Sequence, residues 1–478
     1  MNDNLLGDMM SASTADASRT NAAVNVRTFY ILIVTQVISA IGSRMTSLAL
    51  SIYLYGTTGD VTPLAMTALF QFLPGMLGAS VAGVLADRYD RRKVMALADA
   101  GQAVGTVLLM ISFASGSFQL WHLYAVTFLQ ALFAMFQGPA FTASVSTMIP
   151  DGERNRANAL MQLVQPAAGI IAPPIAGMLY ASIGLVGVMT LDLSSFLFAV
   201  VVLMLVRIPR PILSSAGRDS KGSVLREAMG GVRYLWKVRP LFWVTVYAAL
   251  LNFIFSVADV VTTPYVLART GNDQSALGVI MAISSFGAIV GSIVLGAWGG
   301  FKSRIKMSLL GISLTGVFFV VTGLSRTPLA LGISAFMFMF SMPMVNGSFM
   351  GLIQAKVPHD LQGRVFALLG QLAIFLIPLA YLLSGPLADT VVEPAVRTAA
   401  WAPLAPLFGA EAGAGMGLMI ASSGLAALAL TIVVFGFRSI RNLEQIIPDY
   451  KPETEVTTGA ITDESVMDAP VSVEPVAV

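Results

Sequence analysis

The sequence predicts an all-α membrane protein with twelve transmembrane helices in two pseudo-symmetric bundles of six. First, 56% of its 478 residues are hydrophobic, 11% are charged and the mean hydropathy is +0.78, whereas a soluble domain carries about 25% charged residues. Second, apolar runs of the roughly 17–25 residues that a bilayer requires recur twelve times along the chain. Third, short motifs of the first half return in the same order in the second half.

The apolar runs define spans 1 to 12, the predicted membrane-crossing segments. Residues 1–26 come first and lack the basic start and short apolar core of a cleaved signal peptide. We expect them to form a disordered tail. Span 1 follows at about 28–55, and the others lie at about 62–86, 94–116, 120–148, 157–182, 184–208, 240–268, 275–299, 306–325, 328–355, 364–388 and 415–437.

The longest interval between spans divides them six and six. The predicted regions are an N-terminal bundle over 27–208, a cytoplasmic linker over 209–239, a C-terminal bundle over 240–438 and a disordered cytoplasmic tail over 439–478. The second part of the linker is expected to be an amphipathic helix, because Leu225, Val232 and Trp236 share one face flanked by basic residues. Such a helix suits the surface of an anionic membrane leaflet.

The basic residues predict the orientation. With a cytoplasmic N-terminus, 24 of the 28 Lys and Arg residues fall in cytoplasmic segments. The remaining four are Arg269, Arg326 and Arg397 in outside loops and Arg44 within span 1. Because Lys and Arg concentrate on the cytoplasmic side, we expect both termini to face the cytoplasm from the inner membrane. The expected partners are the lipid bilayer and a small-molecule substrate, with protons left open as the coupling ion; we expect a monomer and no nucleic acid.

The composition also excludes several classes of chemistry. The chain has no cysteine, which rules out disulfides, thiol catalysis and thiolate metal sites. Its two histidines, His122 and His359, fall at span ends or in loops, so no buried histidine cluster can form within the spans. The sequence therefore argues against a membrane-embedded hydrolase or metalloenzyme. We expect no enzymatic activity, no cofactor and no metal.

Four landmarks repeat between the two halves at nearly constant offset. The matched pairs are Val26-Arg27 with Val238-Arg239, Gly83 with Gly296, Pro150 with Pro358, and Ala172-Pro173 with Gly385-Pro386. Chance can supply one or two such matches, but an ordered set of four indicates duplication of a six-span unit. Internal repeats of this kind are typical of secondary transporters.

The turn between spans 2 and 3 carries a charged motif that cannot lie in hydrocarbon. Its residues are Gly83, Asp87, Arg88, Arg91 and Arg92, spaced Gly-x-x-x-Asp-Arg-x-x-Arg-Arg. This spacing resembles the signature loop between helices 2 and 3 of the major facilitator superfamily of secondary transporters. The resemblance implies that the turn latches the cytoplasmic side shut against the start of span 11 at Gly363 and Arg364. The alternative is that these charges only fix the topology.

Spans 4 and 5 carry altered forms of motifs found in proton-coupled members of that superfamily. The stretch Gly169–Gly177 contains Pro173 and Pro174 and resembles the Gly-x-x-x-Gly-Pro-x-x-Gly-Gly motif of exporters. Together with Gly385 and Pro386 in span 11, these residues are candidate helix bends or close-packing faces. In span 4, Ala134 takes the Arg position of an Arg-x-x-Gln-Gly motif, so proton antiport must depend on other residues if it occurs.

Three ionisable residues are predicted to lie deep within spans: Arg44, Asp192 and Asp259. A charge in hydrocarbon costs at least about 2.5–3.5 kcal/mol, so such residues normally face a cavity or each other. We expect Arg44 to have a carboxylate partner, and Asp259 to be the better candidate for protonation in ion coupling. A structural ion pair without proton traffic is the alternative. Asp99 is expected near the cytoplasmic end of span 3, within the network of the charged turn.

The predicted cavity has few charges and many amide and aromatic groups, which suits a bulky amphiphile better than a sugar. Ordinary helix packing is the alternative for many of these side chains. The candidate substrate-binding residues are Gln36, Phe133, Phe136, Gln137, Asn252, Phe255 and Asn346.

Motifs in the second half narrow the resemblance. Three features of this half are similar to those of the branch with macrolide-efflux and enterobactin-exporter-like proteins. They are the stretch Gly385-Pro386-Leu387-Ala388-Asp389, a long outside loop and a glycine-rich entry into span 12. The resemblance covers about residues 27–447. It implies export of a hydrophobic or amphiphilic small molecule by alternating access, with proton antiport left open. A lysophospholipid or other lipid translocator is the alternative within transport, and a non-transporting membrane scaffold is the alternative outside it.

Overall fold

The computed structural model describes residues 3–150, 153–206, 239–301, 303–356, 368–441 and 444. Gly363, Arg364 and nearly all of the linker lie outside these residues, as do the side chains of Gly83, Asp87 and Arg88. The longer helices are Asp3–Thr58, Thr62–Arg88, Arg91–Ala114, Leu120–Met148, Arg154–Leu205, Arg239–Arg269, Gln274–Trp298, Arg304–Leu324, Pro328–Lys356, Ile377–Pro386 and Ala414–Gly436. Shorter elements are a π-helical segment at Leu387–Val392, a 3₁₀ turn at Ala399–Trp401, and helical turns at Glu393–Ala395, Ala405–Phe408 and Arg438–Arg441.

The helices confirm the all-α fold class and the twelve spans. Ten stretches of the described chain are long and apolar enough to cross a membrane. One of them, Val164–Leu205, contains both span 5 and span 6, which Gly184 separates with a left-handed φ of 68°. Glycine adopts this conformation without the steric cost of a side chain. The 27-residue helix Thr62–Arg88 is span 2.

Helical backbone extends into both predicted tails, and the predicted domain boundaries stay predictions. Helical backbone begins at Asp3 and continues into span 1, where a disordered tail over 1–26 was expected. Residues 3–25 contain no proline, and extending an existing helix adds a hydrogen bond per residue without a new nucleus. At the other end of the chain, Glu444 accepts hydrogen bonds from Ser303 Oγ and Arg304 N at the start of span 9. The start of the predicted tail 439–478 therefore includes the helical turn Arg438–Arg441 and this contact of Glu444.

Polar side chains cap the N-terminal ends of several spans. Asp273 accepts hydrogen bonds from the N–H groups of Ser275 and Ala276 at the start of span 8. Asp90 accepts from the N–H of Arg92 at the start of span 3. These carboxylates satisfy amides that the helix itself leaves unpaired.

The turns alternate between two ends of the molecule. We call the end with residues 89–90 and 438–441 the basic end, and the end with residues 59–61 and 270–273 the opposite end. Near the opposite end, one hydrophobic cluster joins both halves and includes Leu54 of span 1 and Tyr265 of span 7. Near the basic end each half has its own cluster, around Met95 in the first and Ile305 in the second. The described halves therefore share a core only toward the opposite end.

Candidate substrate cavity and the seam between the halves

A polar cavity of about 700 Å³ is lined by residues of spans 1 to 5. Its wall includes Thr142, which lies within two turns of the end of span 4 at Met148, so the cavity extends toward the basic end. A second cavity of about 440 Å³ shares Ser43, Gln71 and other wall residues with the first. Both walls contain amide and hydroxyl groups among apolar side chains, and these groups can bind a polar edge of a ligand without a formal charge.

Arg44 is the one charged side chain among the described residues that line the larger cavity. It is exposed there, and its Nη2 donates to Gln165 Oε1 at 3.2 Å. Neither Asp192 nor Asp259 forms an ion pair with it among the described residues, in contrast to the expected carboxylate partner. Helical geometry explains this difference for Asp192. Asp192 packs against Gly42 of span 1, and Arg44, two residues further along the same helix, points about 200° away from Gly42 around the helix axis.

An amide network borders the larger cavity. Gln137 Nε2 donates to Asp99 Oδ1 at 2.8 Å and to Gln36 Oε1 at 3.3 Å, while Gln102 Nε2 donates to Gln137 Oε1 at 3.2 Å. Asp99 is fully buried. This position, with Gln137 as the partner, differs from the expectation that Asp99 belongs to the network of the charged turn.

The other two acidic candidates occupy different surroundings. Asp192 in span 6 is 2% exposed and lies against span 1, where it interacts with Ser43 and Thr46 at the wall of the smaller cavity. Asp259 in span 7 is exposed and interacts electrostatically with Tyr381 of span 11. The structure therefore places one acid inside the N-terminal half and the other on the C-terminal half.

Two of the seven candidate substrate-binding residues, Gln36 and Gln137, line the cavity. The remaining five lie elsewhere. Phe133 packs against Gly101 of span 3, Phe255 contacts Phe319 with the two rings tilted by 44°, and Asn252 donates to the carbonyl of Ala248 in its own helix. Phe136 is half-buried and Asn346 is exposed. The substrate-binding roles of these residues stay predictions.

Spans 5 and 8 form the first part of the seam between the halves. Ser285 Oγ donates to the carbonyl of Gly169 at 2.7 Å. A Cβ on Gly278 would lie 2.6 Å from the carbonyl oxygen of Pro173, and a Cβ on Gly177 would lie 2.5 Å from that of Gln274. The motif of span 5 thus brings two backbones from different halves into direct contact, a role that small residues serve in membranes.

Spans 2 and 11 form the second part of the seam. The Asp389 carboxylate accepts hydrogen bonds from the N–H of Val61 at 2.8 Å and from the N–H and Oγ1 of Thr62 at 2.7 and 2.6 Å. Span 2 has no capping side chain of its own, so Asp389 satisfies its first amides from the other half. Gly385, one turn earlier, approaches the Thr62 Cα so closely that a Cβ would lie 2.6 Å away. We call this contact the Asp389 latch.

Pro386 ends the regular helix of span 11, and a π-helical segment follows directly. This change of helix type occurs at the predicted helix bend. In span 5, by contrast, Pro173 and Pro174 lie within helix, and the only non-helical residue of Arg154–Leu205 is Gly184.

At the basic end, the described arginines of the charged turn bind within their own half. Arg91 donates to the carbonyl of Ala143 in span 4, and Arg92 donates to those of Leu203 and Met204 in span 6. Among the described residues, all four hydrogen bonds between the halves belong to the Asp389 latch or to Ser285. The gating role predicted for the charged turn stays a prediction.

Sequence reasoning did not assign Asp389 a role, although a signal for it exists. Gly83-Val84-Leu85-Ala86-Asp87 in span 2 and Gly385-Pro386-Leu387-Ala388-Asp389 in span 11 share the pattern Gly-x-Leu-Ala-Asp. One pattern ends span 2 at the basic end and the other ends span 11 at the opposite end. Comparison of these two motifs could have indicated a second carboxylate at the seam.

The structure has two six-span halves that are joined at one end, and a polar cavity lined by spans 1 to 5 that extends toward the other end. This is the architecture of a multi-pass membrane transporter. The family model of the Major Facilitator Superfamily matches residues 32–380. The chain belongs to this superfamily, which is a family of transporters.

Curated relatives include two efflux proteins. Macrolide efflux protein A of Streptococcus pyogenes is 25% identical over 366 residues, which cover 76% of this chain and 90% of the relative. Multidrug efflux pump Tap of Mycolicibacterium fortuitum is 24% identical over 364 residues, which cover 73% of this chain and 86% of the relative.

Solved structures share the fold at low sequence identity. A bacterial homolog of the human lysosomal transporter Spinster, in an inward-facing and unoccupied conformation, has a TM-score of 0.66 at 15% identity and covers 90% of this chain and 99% of its own. Nucleoside transporter NupG has a TM-score of 0.62 at 13% identity, covering 86% of this chain and all of its own.

Proposed function

We propose that this chain exports amphiphilic small molecules of drug-like size, macrolides among them, across the cytoplasmic membrane by alternating access, with protons as the driving ion. The observation that carries the proposal is the cavity of about 700 Å³ that extends toward the basic end while the halves are joined at the opposite end. Small-molecule sites usually occupy about 300–1,000 Å³. The similarity to a macrolide efflux protein and to a multidrug efflux pump supports an amphiphilic substrate of this kind.

The proposed orientation places the basic end and both termini in the cytoplasm, because Lys and Arg concentrate there. A molecule then enters the cavity from the cytoplasm or the inner leaflet. Amide groups such as Gln36 and Gln137 bind its polar edge, and Arg44 accommodates an acceptor or an acidic group. Separation of the halves at the opposite end would release it to the outside.

The test is drug accumulation in a host that lacks its own efflux pumps. Cells that produce the wild-type chain are expected to hold less radiolabelled macrolide than cells without it, and the difference should vanish when the proton gradient is collapsed. Gly138→Trp fills the cavity, since Gly138 lines it and a Cβ there meets nothing within 4 Å. This variant should lose export.

Gly296→Trp is the matched control, because Gly296 is also helical and open around its Cβ but lies outside the cavity. It should export like the wild type. Equal accumulation with and without the wild-type chain, across macrolides and other amphiphilic drugs, would contradict the proposal. Movement of labelled lysophospholipid in the same cells would then favour the lipid translocator, and its absence would favour the scaffold.

A further inference from the structure

A groove of about 420 Å³ opens on the surface of the C-terminal half, between span 9 and span 12 at the basic end. Its walls are mainly apolar and include Leu309 and Leu310 of span 9 and Ile432 and Phe435 of span 12. Ile432 is 71% exposed and Phe435 is 49% exposed. Exposed apolar side chains on two membrane-spanning helices contact lipid rather than water.

The groove fits within one leaflet of the bilayer. Lys306 is the third residue of span 9, and Ser313 lies about 10 Å further along that helix. One leaflet of hydrocarbon is roughly 15 Å thick. Both hydroxyls of the groove have partners, because Ser313 Oγ donates to the carbonyl of Leu309 and Thr431 Oγ1 donates to that of Ala427. Beyond Lys306, the groove therefore suits an acyl chain.

Two cations lie at the mouth of the groove. Lys306 is exposed, and its ammonium group has no partner among the described residues. The Arg441 guanidinium lies 5.4 Å from the centroid of the Phe435 ring, which forms part of the wall. The carboxylate of Glu444, three residues after Arg441, accepts two hydrogen bonds at the start of span 9. Within the described chain, positive charge therefore exceeds negative charge at this mouth.

A second groove, of about 830 Å³, provides an internal comparison. It lies at the basic end of the N-terminal half, and apolar residues such as Ile31 and Val34 of span 1 form much of its wall. Its charged lining residues are Arg27 and Glu153, which are both exposed and have opposite signs. The groove between spans 9 and 12 therefore favours an anionic head group, whereas the second groove has no net preference for charge.

We propose that the groove between spans 9 and 12 binds an anionic phospholipid of the adjacent leaflet. The lipid phosphate lies against Lys306 and Arg441, and one acyl chain follows the apolar wall into the leaflet. Basic pockets between membrane helices on the cytoplasmic side suit anionic head groups. The linker is a poorer occupant, because its predicted helix carries bases such as Arg226 and Arg233. Bound lipid then holds the turn Arg438–Arg441 at the membrane surface.

The test measures which lipid lies beside the groove of the purified full chain. Val317→Cys carries a fluorescent label on an exposed position one helical turn beyond Ser313, so the label reports on the groove without lining it. The wild-type chain has no cysteine, so the label is unique. The bilayer is phosphatidylcholine with either brominated phosphatidylglycerol or brominated phosphatidylethanolamine of the same acyl chains. Bromine quenches the label on contact.

We expect phosphatidylglycerol to bind beside the Val317 label about 30-fold more tightly than phosphatidylethanolamine. Each basic residue near the surface contributes a factor of about five, and the groove has two. Lys306→Gln/Arg441→Gln should bind the two lipids equally. Lys306→Arg keeps the charge and should retain the preference.

The second groove supplies the matched controls. Ile38→Cys places the label on an exposed position one turn beyond Val34, and the two lipids should quench it equally. Arg27→Gln removes a cation at the same end of the molecule but from the second groove. It should leave the preference at Val317 unchanged.

Equal quenching at Val317 by the two lipids would overturn the proposal. A preference that survives in the folded double variant, or one of the same size at Ile38, would also overturn it, since either result indicates general attraction to the basic end. Quenching by neither lipid would show that a second copy or the linker covers the groove instead. Circular dichroism establishes that each variant is folded. Should the double variant not fold, Lys306→Gln alone should reduce the preference about fivefold.

Discussion

The Asp389 latch gives the sharpest prediction about conformational change. Asp389→Asn replaces one carboxylate oxygen with an NH₂ group, which cannot accept from the N–H groups at the start of span 2. The substitution also removes the negative charge opposite the positive end of that helix. We expect it to destabilise the state in which the opposite end is closed and to leave each half folded, since the latch joins the halves only.

The magnitude follows from the three hydrogen bonds that Asp389 accepts. Hydrogen bonds to charged groups contribute about 1.5–3 kcal/mol each when buried. Asp389 is half-buried, so we take a loss of about 2–4 kcal/mol for the whole contact. Such a loss shifts the equilibrium between the two states by roughly 30- to 700-fold.

Distances between spin labels measure this shift, and the absence of cysteine in the wild-type chain permits labels at chosen sites only. One pair, Ser117→Cys and Thr398→Cys, reports on the opposite end from exposed positions in different halves. A second pair, Tyr89→Cys and Phe301→Cys, reports on the basic end, where both residues are exposed. Asp389→Asn should add a population with a longer distance in the first pair and a shorter distance in the second.

Asp60→Asn is the matched control for charge. The pKa of Asp60 is raised, first by partial burial and second by the negative charge of Asp389, and its carboxyl makes no hydrogen bond to span 2 among the described residues. Loss of this neighbouring charge reduces repulsion at the latch, so the control should not open the opposite end. Identical distance distributions in Asp389→Asn and wild type would refute the reasoning.

Two glycine substitutions probe other contacts of the seam. Gly385→Val places a Cβ 2.6 Å from the Thr62 Cα. Overpacking of this kind destabilises the closed contact by about 1–3 kcal/mol, so the spin-label pairs should report opening at the opposite end. Gly278→Val places a Cβ 2.6 Å from the Pro173 carbonyl oxygen, and it should reduce transport. Its control is Gly296→Val, which has open space around the Cβ and should transport like the wild type. Equal transport by both variants would exclude a role for close contact between spans 5 and 8.

The shared Gly-x-Leu-Ala-Asp pattern suggests how the two ends alternate. Asp389 at the end of span 11 caps the start of span 2. Asp87 lies at the end of span 2 and is predicted to stabilise the start of span 11 in the same way. Inverted repeats within each half place such motifs at opposite membrane faces. Each carboxylate would then stabilise one of the two states.

The span boundaries could be predicted from the sequence because length and hydropathy decide them. Span 2, expected at 62–86, is the helix Thr62–Arg88. The turn between spans 5 and 6 was expected at residue 183, and Gly184 provides it. These features depend on the residue composition of short stretches of the chain, which can be read from the sequence.

Side-chain partners could not be predicted in the same way. Spans 1 and 4 show weak hydrophobic periodicity, so their sequences do not fix their rotation. Rotation decides whether Asp99 faces water or Gln137, and whether Arg44 meets Asp259 or Gln165. The partners of Asp99 and Arg44 therefore emerged only from the packed structure.

A reversible cross-link between the halves tests the central claim most directly. A Cβ on Gly169 would lie 3.7 Å from Ser285 Oγ, so oxidation of Gly169→Cys/Ser285→Cys should join spans 5 and 8. A matched pair within one half is Thr315→Cys/Ser341→Cys, whose native oxygens are 2.7 Å apart. The account predicts that oxidation of the first pair abolishes macrolide counterflow until a reductant is added, while oxidation of the second pair has no effect. Continued counterflow by the fully cross-linked first pair would contradict it.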